Sequence, residues 1–217
     1  MYFRATLFKN NKARLIFEVH QEPIGEHQIY LDTEAPIAFS NRRFGHNDKV
    51  VIENKVTKLL EKGVIRRSVS LYRAPPVLVP KENGALRICN DFRLLNQHTV
   101  RESYPAPRIE EIFDCMSGCS IFSKMSTDSG FHQVEIKEAD KPKTVFSCRS
   151  GVYEYKRMPF GLVNAPSTLQ RIMDDILREY LWKFVVVYMD DVIVFSKNLA
   201  EHVQHLSLVK DKIKRAG

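Results

Sequence analysis

With 217 residues, 44% of them hydrophobic, the chain can bury the core of one large domain or of two small ones. Its 33 basic against 26 acidic residues leave a net charge of +7, which favours a polyanionic partner without naming one. No apolar run reaches the roughly 18 residues of a membrane helix, and Met1 to Thr6 shows no signal-peptide core, so no membrane partner is expected.

In chain order, residues 1–47 carry weak periodicity and several turn formers, which predicts an extended, loosely structured lead-in. Asp48 is placed to cap a helix to Lys62, with Ile52, Val56, Leu59 and Leu60 on one face and Gly63 closing it. Segments 76–80 and 86–90 read as paired strands around Asn83-Gly84, a strong hairpin signal. A short helix follows Pro107, with Ile109, Ile112, Phe113 and Met116 on its stripe. Strands are predicted at 120–126, 132–136, 143–148 and 152–157, and a longer helix from Asn164 carries Leu169, Ile172, Met173, Ile176, Leu177 and Tyr180. Asn198 and Glu201 resemble a capping box for a last helix through Val203, Leu206, Val209 and Ile213. That helix meets the end of the chain without a stop beyond Gly217, so the chain reads as cut rather than finished.

Between those last two helices lies the most informative segment. Tyr188-Met189-Asp190-Asp191 separates the apolar runs 184–187 and 192–195, which predicts a hairpin with two adjacent acids at its tip. Mutual repulsion disfavours such a pair between buried runs unless a cation neutralises it, and a pair of Mg²⁺ ions would do so. On these residues alone, a solvated Asp-Asp turn is an equally good reading. The cysteines at 89, 115, 119 and 148 form no CxxC pair and read as free thiols of a reducing compartment. His132 is a weak ligand candidate, and His202 and His205 are expected on an exposed, charged helix face.

Several short segments occur in a telling order: Gly63-Val64-Ile65, Pro76 to Lys81, Arg87 to Asn96, Tyr104 to Ile109, Ser129 to Gln133, Lys141 to Phe146, Met158 to Pro166, and Tyr188 to Asp191. Over roughly residues 25–215 this order and spacing resembles the reverse transcriptase domain of Ty3/Gypsy-type LTR retrotransposons. The resemblance implies an α+β, right-hand polymerase: fingers over an antiparallel palm sheet backed by helices, in residues 48–217, with the primer grip and thumb absent. It implies template-directed DNA synthesis, in which a primer 3′-hydroxyl attacks a deoxynucleoside triphosphate under two Mg²⁺ ions, with Mn²⁺ as substitute. The implied partners are an RNA or DNA template with primer, deoxynucleoside triphosphates, and the thumb, ribonuclease H and integrase parts of a Pol polyprotein. The implied location is the cytoplasm or virus-like particles.

The resemblance also assigns roles. Asp190 and Asp191 are catalytic metal ligands, Lys81 and Arg87 grip the triphosphate, and Phe131 lies beneath the sugar, where a ring excludes a 2′-hydroxyl. Phe160 and Gly161 lie near the nucleotide, and Tyr188 and Met189 near the primer end. Without the resemblance, Lys81 and Arg87 read as strand-edge cations and Phe131 as a core ring.

One position departs from the pattern. Relatives carry a sequence like Lys-Ile-Asp-Leu-Lys-Ser-Gly, whereas this chain reads Lys124-Met125-Ser126-Thr127-Asp128-Ser129-Gly130. Ser126 therefore takes the place of a metal-bridging aspartate and brings no charge to it. Asp128 is a candidate substitute, but two residues along a strand is roughly 6.6 Å. Catalysis is expected to be impaired; the alternatives are a non-catalytic nucleic-acid-binding pseudoenzyme and an inactive retroelement relic. Nucleotidyl cyclases and other palm enzymes share the carboxylates but not the fingers motifs or Phe160-Gly161.

Overall fold

The computed structural model describes residues 23–40, 42–80, 86–127 and 130–216, with the side chains of Ser126 and Thr127 excepted, and the backbone of two strands nearer the amino terminus. In chain order the elements are β1 (Tyr2–Phe8), β2 (Arg14–Glu18), β3 (Glu26–His27), α1 (His46–Glu61), β4 (Ile65–Arg67), β5 (Pro76–Pro80), β6 (Leu86–Asn90), α2 (Arg93–Gln97) and α3 (Ile109–Cys115). They continue as β7 (Ile121–Thr127), β8 (Glu135–Ile136), β9 (Phe146–Cys148), β10 (Gly151–Tyr155), α4 (Ala165–Leu177), β11 (Val185–Tyr188), β12 (Asp191–Ser196) and α5 (Leu199–Ala216).

Two compact units are interleaved along the chain. The first comprises Met1–Gly25, Glu102–Gln133 and Pro166–Gly217, and the second Glu26–Arg101 and Val134–Ala165. The first holds a mixed-origin antiparallel sheet in the order β11-β12-β7-β1-β2. Period-two alternation divides its side chains between the faces. Val185, Val187, Val192, Val194, Ser123 and Met125 are buried on one face, where α5 packs on β12 and β7. On the opposite face Val186 and Phe195 pack with Ile112 of α3, joined by the partly buried Phe122 and Tyr188.

The second unit contains the antiparallel sheet β4-β10-β9, the β5–β6 hairpin and the short parallel pair β3–β8. Its core includes Ile52 and Val56 of α1 with Val64, Ile65, Phe92, Phe146, Tyr153, Tyr155 and Met158. Lys141, itself 4% exposed, is held by Glu138 at 2.6 Å and Glu135 at 3.3 Å. A lysine so buried needs those carboxylates, because burial of an unpaired ammonium is costly.

Several expectations are corrected. The supposedly loose lead-in over 1–47 contains β1, β2 and β3, because β1 pairs with β7 more than a hundred residues away and local periodicity does not report such a partner. The strand expected at 132–136 begins inside a 3₁₀ turn, Gly130–Gln133, and only Glu135–Ile136 is extended. The strand expected at 143–148 shrinks to Phe146–Cys148 after a 3₁₀ segment, Glu138–Thr144. Gly45 rather than Asp48 is the N-cap of α1. On α3 only Ile112 is fully buried, and Ile109 and Phe113 are exposed, since seven residues offer one inward turn.

The last helix is rotated from the predicted stripe. His202 is completely buried and Val203 exposed, so the inner face runs His202, Val209, Ile213. The histidine is tolerated inside because both ring nitrogens are met: Nε2 lies 2.8 Å from Ser123 Oγ and Nδ1 2.9 Å from Ser196 Oγ. His205 Nδ1 reaches the same Ser196 Oγ at 2.8 Å while its ring stacks on Phe184. At the helix start Asn198 Oδ1 accepts from Glu201 N at 3.0 Å, and Asn198 Nδ2 donates to Glu201 Oε1 at 2.8 Å.

Candidate active site

The β11–β12 hairpin closes in the tightest way available. Tyr188 pairs with Asp191, leaving Met189 and Asp190 as a two-residue turn. Met189 takes φ of 57°, a left-handed conformation that a side chain disfavours. Gln170 of α4, 3% exposed, holds that turn: its Oε1 accepts from Met189 N at 2.8 Å, and its Nε2 donates to Val187 O at 3.0 Å. The same Nε2 reaches Asp174 Oδ1 at 3.0 Å, and Tyr104 Oη donates to Asp174 Oδ2 at 2.8 Å. Burial pushes the Asp174 carboxyl up, and burial together with the bond to Asp174 raises the Tyr104 hydroxyl to about 12. A chain of bonds thus runs from the Tyr104 segment through α4 to the tip of the hairpin.

At that tip Asp190 is exposed and Asp191 is half-buried. In the β7–β12 ladder Ser126 stands directly opposite Asp191, and Lys124 opposite Ile193. Lys124 thus lies diagonally from Asp191 on the same face, and its Nζ meets Asp191 Oδ2 at 2.6 Å. The cation that a pair of adjacent acids requires is here supplied by the chain itself. Among the described residues, no group of three or more His, Cys, Asp or Glu side chains could hold a metal ion. Asp128 lies outside the described residues. As they stand, Asp190 and Asp191, with a serine at 126 and an ammonium on Asp191, do not make up a two-ion set.

Phe131 and His132 are half-buried in the 3₁₀ turn that follows β7, in the same unit. In the second unit Arg87 and Phe160 are brought together, the guanidinium lying 4.7 Å from the ring centroid, a cation–π geometry. Gly161 adopts φ of 97°, open to glycine and strained for other residues. Asn96 clamps this bend from both sides: its Nδ2 donates to Gly161 O at 2.7 Å and its Oδ1 accepts from Val163 N at 3.0 Å. Lys81 lies outside the described residues.

Asp91 ties the Asp91-Phe92-Arg93 segment together. Its carboxylate accepts from Arg93 Nε at 2.8 Å, from Arg93 Nη2 at 2.7 Å and from Arg42 Nη2 at 2.7 Å. The Arg93 hydrogen bonds, against burial, hold that carboxyl at about 2. Next to it, the Asn90 amide is buried with no hydrogen-bond partner among the described residues.

Residues 79–217 match the reverse transcriptase (RNA-dependent DNA polymerase) family. Over 197 residues the chain is 40% identical to the retrovirus-related Pol polyprotein from transposon 297 of Drosophila melanogaster, covering 88% of this chain and 19% of that protein. The chain belongs to the reverse transcriptase family.

The Pol polyprotein from transposon gypsy of the same fly is 42% identical over 164 residues, covering 73% of this reverse transcriptase domain and 16% of that protein. The Tf2-3 transposon polyprotein of Schizosaccharomyces pombe is 36% identical over 166 residues, covering 76% and 12%. The domain is therefore of the Ty3/Gypsy type, and spans under a fifth of the polyproteins it matches. Prototype foamy virus protease-reverse transcriptase superposes with a TM-score of 0.77 at 24% identity, over 88% of this chain and 26% of that one. That likeness shows the fold: the α+β fingers and palm of a polymerase.

Sequence reasoning about the reverse transcriptase site passed over Lys124, Gln170, Asn96 and Asp91. Lys124 had a signal: a lysine two residues before the position facing Asp191 shares its sheet face. Gln170 had none, because a glutamine between Leu169 and Arg171 reads as an ordinary helical residue until its hairpin partner is known.

Proposed function

We propose that this reverse transcriptase domain keeps the fingers-and-palm frame for binding template, primer and nucleotide but is impaired in polymerisation. A serine at the β7 position facing Asp191 is the observation that carries this reading. Mg²⁺ is held by carboxylate oxygens at about 2.0–2.1 Å, and a seryl hydroxyl is a poor replacement for a bridging carboxylate. Asp190 and Asp191 are the catalytic carboxylates that persist, and Asp128, two residues along the sequence from Ser126, is the proposed substitute carboxylate. Arg87 and Lys81 are the proposed triphosphate contacts, Phe131 the ring beneath the sugar, and Gly161 the bend beside the nucleotide. The Arg87–Phe160 stacking supports the nucleotide role, since it fixes a guanidinium that would otherwise be a free side chain.

A foamy viral protease-reverse transcriptase has been solved with an RNA/DNA hybrid, and a hybrid of that kind is the proposed ligand here. No helix among the described residues is long and apolar enough to cross a membrane; the proposed setting is the cytoplasm or a virus-like particle. The alternative reading, a nucleic-acid-binding pseudoenzyme with no chemistry, is favoured by the same serine and by the net charge of +7.

Single-nucleotide primer extension with Mg²⁺ and with Mn²⁺ tests the proposal, comparing the chain with Ser126→Asp after template-primer binding is verified for both. Extension by Ser126→Asp, at least about a hundredfold faster than by the original, is expected from the share that one well-placed electrostatic group contributes to catalysis. Equal extension by both, abolished by Asp128→Asn, would show that Asp128 has taken over. Binding without extension by either favours the pseudoenzyme.

A further inference from the structure

We infer that Lys124 is a built-in counter-ion of the palm carboxylates and competes with divalent metal for Asp191. The inference rests on the reading of Asp190–Asp191 as the metal-binding end of the palm and adds a residue that acts against it. In the antiparallel ladder the residue opposite Asp191 is Ser126, and Lys124 is one diagonal step away on the same face. Diagonal neighbours lie roughly 7–8 Å apart, a gap that a four-carbon stem closes easily. It does so here, with Nζ 2.6 Å from Asp191 Oδ2.

Charge explains why the pair forms in this chain. Two adjacent carboxylates with a neutral serine at the third position leave a small negative excess, which one ammonium halves. The ammonium also donates a hydrogen to an oxygen lone pair that a metal would need. A divalent ion must therefore displace Lys124 to bind Asp191 through Oδ2, and meets the ammonium's charge even at Oδ1. The displacement is feasible, because the Lys124 and Asp191 side chains are 44% and 25% exposed, a rim setting where ion pairs are weak and a lysine can swing into solvent. The lysine tunes metal affinity and does not seal the site. An aspartate at 126 would face Asp191 and offer the ammonium a second acceptor or draw the metal past it.

The test is Mn²⁺ binding, read as loss of the free-ion EPR signal, in the original chain, Lys124→Met, Lys124→Arg, Asp191→Asn, Ser126→Asp and the Lys124→Met/Asp191→Asn double variant. Far-UV circular dichroism checks each fold, and Lys124→Gln removes the same charge if the methionine variant does not fold. Lys124→Met is expected to bind Mn²⁺ about two- to fivefold more tightly, the range of exposed ion pairs. Lys124→Arg should stay near the original, and the gain should vanish with Asp191→Asn. If Ser126→Asp tightens binding while Lys124→Met leaves it unchanged, the metal-site reading stands and the competition does not. A gain that persists with Asp191→Asn also overturns it, since it would be a general effect of net charge. If neither Ser126→Asp nor Asp191→Asn alters binding, the metal-site reading falls and the competition with it.

Discussion

Met189 and Gln170 show how one side chain fixes the geometry of another's backbone. A methionine at φ of 57° costs free energy that glycine would not, on the order of 1 kcal/mol or more. The turn persists because Gln170 accepts from Met189 N and donates to Val187 O, in a setting where an unmatched amide is expensive. Replacing Gln170 by leucine keeps the volume roughly constant and removes these bonds together. The expected loss is about 2 kcal/mol, the scale for stranding partly buried backbone groups, read as a lower urea midpoint. An unchanged midpoint would mean that the turn is held elsewhere. Asp91 makes a similar point in the second unit, where one carboxylate gathers Arg42 and Arg93 and so fixes the chain that leads from β6 into α2.

Helix α5 joins the two strands that carry the site, through His202 between Ser123 of β7 and Ser196 of β12. Its buried imidazole is held below its ordinary value, first by burial and then by the nearby His205. The direction sets the pH dependence. Because the folded value lies below the unfolded one, the unfolded chain takes up the proton first on acidification. Stability is therefore full above about pH 6.5 and falls as pH drops towards the folded value, by at most about 1.4 kcal/mol per pH unit. His202→Gln, whose amide can still reach both serines, is expected to flatten thermal stability between about pH 7 and 5. An undiminished slope in that variant would assign the dependence to other groups. The strands add a second constraint: β7 is flanked by β12 and β1, so Ser126 and Lys124 sit on an interior strand whose register cannot slip without turning every side chain to the opposite face.

Across the chain, the excess of 33 basic over 26 acidic residues suits a phosphate backbone. If nucleic-acid binding is retained, affinity for a template-primer should fall at least tenfold between about 50 and 200 mM salt, as counterion release requires. Fluorescence anisotropy with a labelled RNA/DNA hybrid measures this. A salt-independent affinity would argue against phosphate contacts as its basis. The two units place different groups: the carboxylate hairpin, Lys124 and Phe131 belong to the first, and Arg87, Phe160 and Gly161 to the second.

Motif order was enough to read the family and its polymerase fold, because several motifs mark a local physical demand: an acidic two-residue turn, a glycine at positive φ, an aspartate two residues before an arginine. The β5 and β6 strands and the β11–β12 hairpin were equally legible, since short apolar, β-branched runs are local signals; the turn expected at Asn83-Gly84 lies outside the described residues. The departure at Ser126 was also visible in the chain, by comparison with the pattern it resembles. Partners far apart in sequence were not. That β1 joins β7, that His202 rather than Val203 faces inward, that Gln170 holds the turn before Asp190, and that Lys124 neutralises Asp191 all depend on segments meeting in space. Periodicity reports which face of an element is apolar; it carries no information about which polar group waits on the other side.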